Sequence, residues 1–328
     1  MFNKSDPINN FDVFFQHILG QSKAIKLLTS ALNKNQIAPA YIFSGPNGVG
    51  KKLTTLCFLE GLINKNNDQL IKYSKINKNH PDLIWIEPTY INNKNLITRS
   101  EAEKEKINLR SRPQIRLEQI KSIKDFIIKK PIKSERGMIV IEDVDYMNES
   151  ASNALLKTLE EPKHGLFILI TERPELLLQT IQSRCQKIIF TRLDQLSIKK
   201  IIESERNSEQ FNSTKHEELL LMSNGSIGSY QHDIKIKESI PEKIILKLKG
   251  DFFVDPIEAL LIAKEVNEEL NLDQQIWVVK WMQYYIWNKN RSLSVIRELE
   301  NLRKNLTKYI NSRLAWEVTL LRINEIMQ

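Results

Sequence analysis

Cysteine is almost missing from this sequence: 328 residues carry only Cys57 and Cys185. The two lie far apart and form no CxxC pair, which excludes a disulfide framework and a four-cysteine zinc site. Glycine (10) and proline (11) are scarce, too few for a low-complexity or collagen-like chain. No run of about 18 apolar residues occurs, so no membrane span is expected. The opening stretch MFNKSDPINNFDVFF has no signal-peptide core. These absences lead to the expectation of a soluble, cytoplasmic protein with no membrane partner. What is abundant is apolar residues (41%) and charge (27%), the balance of a globular and largely helical chain, and the length suits two or three domains. The net charge of +8 suits a polyanion such as DNA, and equally a solvated basic surface.

Residues 15–36 carry Ile18, Ile25, Leu27, Leu28 and Leu32 at helical spacing, with Gly20 as a turn. Short apolar runs at Ala40–Phe43, Leu83–Ile86, Met138–Ile141 and Leu166–Ile170 read as buried strands. Between them, 51–63, Ile115–Ile128 and Ser150–Leu159 read as helices, the last stopped by Glu161-Pro162. Strands alternating with helices predict a parallel α/β sheet with flanking helices. Residues 64–80 and 90–112 read as polar segments rich in Lys and Asn. Beyond about 190 the pattern turns helical, short over 194–235 and longer over 240–328. The expected division is an α/β domain over 1–190, a small helical domain over 191–240 and an all-helical domain over 241–328. Trp277, Trp281, Ile286, Trp316, Leu320 and Leu321 fit a bundle core and an oligomerisation surface equally well. Lys243, Lys247, Lys249, Arg303 and Lys304 read as solvated faces.

The strongest motif is Gly45-Pro46-Asn47-Gly48-Val49-Gly50-Lys51. It has the G-x-x-x-x-G-K spacing of a phosphate loop, after a strand and before a helix. In that pattern backbone N–H groups and the helix N-terminus hold phosphate oxygens, and Lys51 reaches the terminal phosphates. The next position needs a hydroxyl for Mg²⁺, and here it is Lys52, an ammonium that repels the ion. Thr54 and Thr55 lie too far along the helix to substitute. The strand Ile139-Val140-Ile141 ends in Glu142-Asp143-Val144-Asp145. P-loop ATPases place there an acid for Mg²⁺ and one for the attacking water, in the order Asp then Glu; this chain reverses it. Nucleotide binding at the loop therefore stays open, and hydrolysis is not expected.

The stretch Ala151-Ser152-Asn153-Ala154-Leu155-Leu156-Lys157-Thr158-Leu159-Glu160-Glu161-Pro162, followed by Ser183-Arg184-Cys185, closely resembles bacterial clamp-loader AAA+ subunits. Ile18-Leu19-Gly20-Gln21 and Ile115-Arg116 with Gln119-Ile120 fit as well, so the resemblance covers about residues 10–190. Within that family the chain is most similar to the delta-prime subunits of DNA polymerase III. The resemblance implies an AAA+ domain, a helical lid and a helical collar. It implies a rigid stator without a working ATPase, which donates Arg184 as an arginine finger to a neighbouring subunit. Other loader subunits, a sliding clamp and primed DNA, contacted without sequence preference, are the implied partners, within a polymerase holoenzyme in which this chain is neither polymerase nor efficient ATPase. Thr171 and Glu172 match the position where a polar side chain faces the γ-phosphate. Gly225-Ser226-Ile227-Gly228-Ser229 lacks the arginine that motor subunits carry after this Gly-Ser. Many relatives have a four-cysteine zinc module before the acidic strand; Cys57 and His80 do not make one, and no metal is expected. An active motor subunit and an unrelated P-loop NTPase remain the alternatives.

Overall fold

The computed structural model describes residues 11–64, 80–92, 95–105, 113–205, 213–249, 255–308 and 311–327. The chain packs as two compact units, one of Met1–Gln210 with Gly225–Gly228, the other of Phe211–Asn224 with Ser229–Gln328.

In the first unit, α1 (Ser22–Asn33) precedes β1 (Ala40–Ser44), and α2 (Lys51–Ile63) leads towards β2 (Leu83–Ile86). A hairpin of β3 (Thr89–Asn92) and β4 (Asn95–Thr98) runs into the short α3 (Arg99–Lys104). Then α4 (Leu117–Ile128), β5 (Gly137–Ile141), α5 (Glu149–Glu160), β6 (Gly165–Thr171), α6 (Gln179–Gln182), β7 (Gln186–Ile189) and α7 (Gln195–Glu205) follow. Five strands form one parallel sheet in the order β2-β5-β6-β1-β7. Every residue of β1 and β6 is buried, as a strand covered on both faces requires. Their side chains alternate between two cores: Tyr41, Phe43, Leu166, Ile168 and Ile170 on one face, Ala40, Ile42, Phe167 and Leu169 on the other. The parallel α/β sheet expected from the apolar runs is therefore present.

Two parts of the chain differ from the sequence reading. β7 was not expected, because Gln186 and Lys187 interrupt its apolar character; it is an edge strand of which only Ile188 is buried. The segment read as polar over 90–112 contains the hairpin and α3. Register there comes from Thr89, whose N–H donates to the Gln114 carbonyl at 2.9 Å and whose carbonyl accepts from Gln114 N–H at 3.0 Å. Thr98 and Glu101 form a capping box that starts α3. Residues 65–79 and 106–112 of the polar segments lie outside the described residues.

The described part of the second unit is helical: α8 (Ser213–Ser223), α9 (Ile227–Ser239, whose first two residues fall in the other unit), α10 (Glu242–Lys249), α11 (Pro256–Glu269), α12 (Leu272–Asn290), α13 (Leu293–Thr307) and α14 (Ser312–Met327). Trp277, Trp281, Ile286, Trp316 and Leu320 are buried. Trp316 Nε1 donates to Gln275 Oε1 at 3.0 Å and Trp281 Nε1 to Glu218 Oε1 at 3.0 Å, so these two indoles keep a partner, whereas the buried Nε1 of Trp277 has none among the described residues. Lys243, Lys247, Lys249 and Lys304, expected as solvated faces, are exposed; Lys243 pairs with Glu265 and Glu269, Lys247 with Glu265, and Lys249 Nζ lies 5.7 Å from the Trp281 ring centroid. Arg303 pairs with Glu300. No helix among the described residues is long and apolar enough to cross a membrane.

Buried Asp82, just before β2, clips the turn between α4 and β5. Its carboxylate accepts from the backbone N–H of Ile132 (2.7 Å), Lys133 (2.6 Å) and Ser134 (2.8 Å) and from Ser134 Oγ (3.0 Å). Burial alone would raise its pKa, but these bonds to the charged form outweigh burial and hold it below the usual aspartate value. Asp82→Ala leaves the donors without their acceptor and is expected to lower the unfolding free energy by about 2 kcal/mol. Because the folded value is the depressed one, this contribution is present above about pH 4 and lost as pH falls below that. Urea unfolding of both proteins at pH 7 and pH 3 checks it: the difference should shrink at the lower pH.

Candidate functional site

β1 ends at Ser44, beside Thr171 of β6 and Ile189 of β7. The loop that follows is tied back to the sheet by Gly45 N–H donating to the Thr171 carbonyl at 3.2 Å. Gly48 has φ 71°, and a Cβ there would stand 2.7 Å from Gly228 Cα, so the close approach needs glycine. Residues 225–228 lie against the loop: Gly228 N–H donates to the Gly48 carbonyl at 3.0 Å and Ser226 Oγ to the Asn47 carbonyl at 2.7 Å. Buried Gln21 donates to the carbonyls of Val49 (3.2 Å) and Thr191 (2.7 Å) and accepts from Thr191 N–H (3.1 Å). Gly50 then caps α2.

Lys51 is buried, and its Nζ donates to the carbonyls of Gly45 and, at 2.7 Å, Pro46. Burial brings its pKa down to about 8, although Glu172, Asp143 and Asp145 pull it back up. Lys52 forms an ion pair with Glu142. The lysine side chain is 60% exposed and the carboxylate 3%, so a surface cation neutralises a buried acid. Glu142 also accepts from Trp85 Nε1 at 2.5 Å. Asp143, in the left-handed backbone region at φ 46°, pairs with Arg99 at 3.2 Å. Asp145 accepts from Thr171 Oγ1 at 2.8 Å and from Arg173 Nε and Nη2 at 3.0 and 2.6 Å. Asn47 Nδ2 donates to Glu172 Oε2 at 3.0 Å.

The fold thus brings together Gly45, Asn47, Gly48, Val49, Gly50, Lys51, Lys52, Glu142, Asp143 and Thr171. Sequence reasoning missed Arg99, Arg173, Asp145 and Trp85 as members of this cluster. Asp145 had a signal, its place in the acidic strand end; Arg99 had none, inside a segment read as polar. These residues do not fit Mg²⁺–nucleotide. The acids that would hold the ion are engaged by cations of this chain, and position 52 offers an ammonium. The hydroxyls of Thr54 and Thr55 are bonded to the Gly50 and Lys51 carbonyls at 2.9 and 3.0 Å.

Arg184 is elsewhere. β7 begins at Gln186 opposite Tyr41, so Arg184 stands at the N-terminal edge of the sheet, whereas the loop leaves the C-terminal edge of β1. The strand between spans on the order of 13 Å. The Arg184 guanidinium cannot serve its own loop. Cys57 and Cys185 are thiols pushed by burial up to about 11 and about 12, which makes neither a nucleophile.

Residues 20–194 match the family described as "DNA polymerase III, delta subunit". The chain belongs to this clamp-loader family. Residues 196–323 match "Cyanobacterial DNA polymerase III delta prime, C-terminal domain". The chain is 29% identical over 193 residues to DNA polymerase III subunit delta' of Bacillus subtilis, covering 56% of this chain and 52% of that one. It is 29% identical over 197 residues to subunit tau of the same organism, covering 58% and 32%. The matched stretch therefore spans about half of the first relative's length and about a third of the second's. A DNA polymerase III gamma subunit-related protein from Thermotoga maritima shares the fold, with TM-score 0.56 at 18% identity, over 92% of this chain and 99% of that one.

Calorimetric titration with ATP is expected to give the same heat with Mg²⁺ as with excess EDTA for the wild-type clamp-loader chain. The double substitution Lys52→Thr with Arg99→Ala removes the cation from each carboxylate and supplies the hydroxyl, and is expected to make binding magnesium-dependent.

Proposed function

We propose that this chain is a delta-prime-like subunit of the DNA polymerase III clamp loader, a stator that does not turn over ATP. It works in the cytoplasm, in a hetero-oligomer with ATPase subunits. There it offers Arg184 as an arginine finger to a neighbour's triphosphate while the sliding clamp is loaded onto primed DNA.

The Lys52–Glu142 ion pair carries this reading. A cation of the chain sits on the carboxylate that a motor subunit gives to Mg²⁺, so the loop serves as architecture. The place of Arg184 at the far edge of the sheet supports the second half: a planar, always charged guanidinium there is out of reach of the chain's own loop and open to another subunit's phosphate. Residues 191–240 act as the lid and 241–328 as the collar that meets other subunits. Lys243, Lys247 and Arg303 are paired with acids of the same unit, and any contact that they, Lys249 or Lys304 make with DNA is unspecific phosphate pairing. The similarity to tau leaves a motor subunit as the second reading, which the residue at position 52 disfavours.

Purified alone, the chain is expected to show background ATP hydrolysis with or without primed DNA; steady turnover would remove the stator reading. In the reconstituted loader, Arg184→Ala is expected to lower DNA-stimulated ATPase turnover at the neighbouring site about 10³-fold. Turnover equal to wild type would remove the finger role.

A further inference from the structure

α5 ends at Glu160, followed by Glu161 and Pro162. Pro162 cannot continue the helix, and the carbonyls at that end already present partial negative charge, so carboxylates are poorly placed there. A local rule broken without a gain in stability points to a role outside folding. The partner of Glu160 supplies that role. Arg184 Nη2 donates to Glu160 Oε1 at 3.0 Å, and Arg184 Nη1 donates to the Thr180 carbonyl at 3.0 Å.

The two anchors grip different nitrogens of one planar group. One comes from the backbone of α6, a turn before the arginine; the other comes from the end of α5. A single contact would leave the guanidinium free to swing about its long side chain; two contacts from separate elements fix its plane. They use one N–H on each Nη and leave the remaining N–H groups for a phosphate. The pair is partly open to solvent, 38% exposed at Arg184 and 46% at Glu160, so the guanidinium stays within reach of an approaching phosphate. Such an exposed pair adds little to folding; what it fixes is a direction.

We infer that Glu160 is the positioning residue for Arg184, holding the guanidinium in the plane in which it meets a neighbouring subunit's triphosphate. This rests on the finger role proposed above. The carboxylate touches no nucleotide itself; it holds one N–H of Nη2 so that the N–H groups left over keep a fixed direction.

The test uses the reconstituted loader, carrying in turn wild-type chain, Glu160→Ala, Glu160→Gln and Arg184→Ala, with ATP turnover measured across ATP concentrations on primed DNA. Glu160→Ala is expected to lower kcat about 10-fold at unchanged KM for ATP, since the nucleotide is held by the neighbour's own loop. Assembly by size exclusion and the melting temperature should not move. Glu160→Gln, whose amide oxygen still accepts from Nη2, is expected to restore most of the lost turnover. Wild-type turnover in Glu160→Ala beside a loss in Arg184→Ala would overturn the inference and leave the finger standing. Failed assembly or a lowered melting temperature in Glu160→Ala would overturn it too, as the mark of a structural residue. Wild-type turnover in Arg184→Ala would bring down the finger reading itself, and this inference with it.

Discussion

The parallel register of β1 between β6 and β7 governs the first unit. Both faces of β1 are buried, so slipping it by one residue would move Tyr41 and Phe43 into the core now filled by Ala40 and Ile42. With the slip forbidden, Ser44 must end beside Thr171 and Tyr41 must lie beside Gln186. The first pairing delivers the glycine loop to the acids at the C-terminal edge. The second sends the Ser183-Arg184-Cys185 turn to the opposite edge. One packing constraint therefore separates a closed phosphate loop from an outward-facing guanidinium.

Charge balance explains why the closed loop is stable as it stands. Glu142 is buried, and a buried carboxylate is costly unless paired and hydrogen-bonded. Lys52 and Trp85 meet both requirements. Arg99 does the same for Asp143, and Arg173 with Thr171 for Asp145. Removing one cation leaves the others in place, which is why a hydroxyl at position 52 is not by itself enough to rebuild a metal site. The second unit uses the same economy at its surface, where Glu265 serves both Lys243 and Lys247.

Much of this was legible in the residues. Apolar runs announced β1, β2, β5 and β6 because strands covered on both faces need no alternation. Glycine spacing and Lys51 announced the loop, and Lys52 announced its lost chemistry. Asn148, which caps α5 by accepting from Ala151 N–H at 2.8 Å, moved that helix start only slightly from the expected Ser150. The rest depended on pairing across long separations. Nothing near Lys52 says that its partner is Glu142, or that Arg99 leaves a Lys- and Asn-rich stretch to reach Asp143. β7 was hidden because an edge strand tolerates Gln186 and Lys187. The hairpin was hidden because Tyr90, Ile91, Leu96 and Ile97 sit among asparagines.

The hairpin is fastened at its base. Thr89 bonds to Gln114 in both directions, Ser100 N–H donates to Glu87 at 3.3 Å, and Arg99 holds Asp143. The chain between Thr89 and Gln114 thus leaves the sheet and comes back to the same point. Closing such an excursion costs entropy that grows only with the logarithm of its length, about 0.6 kcal/mol for each doubling. A change in the length of this stretch is therefore expected to cost the five-stranded sheet little, provided that Arg99 keeps its pairing with Asp143.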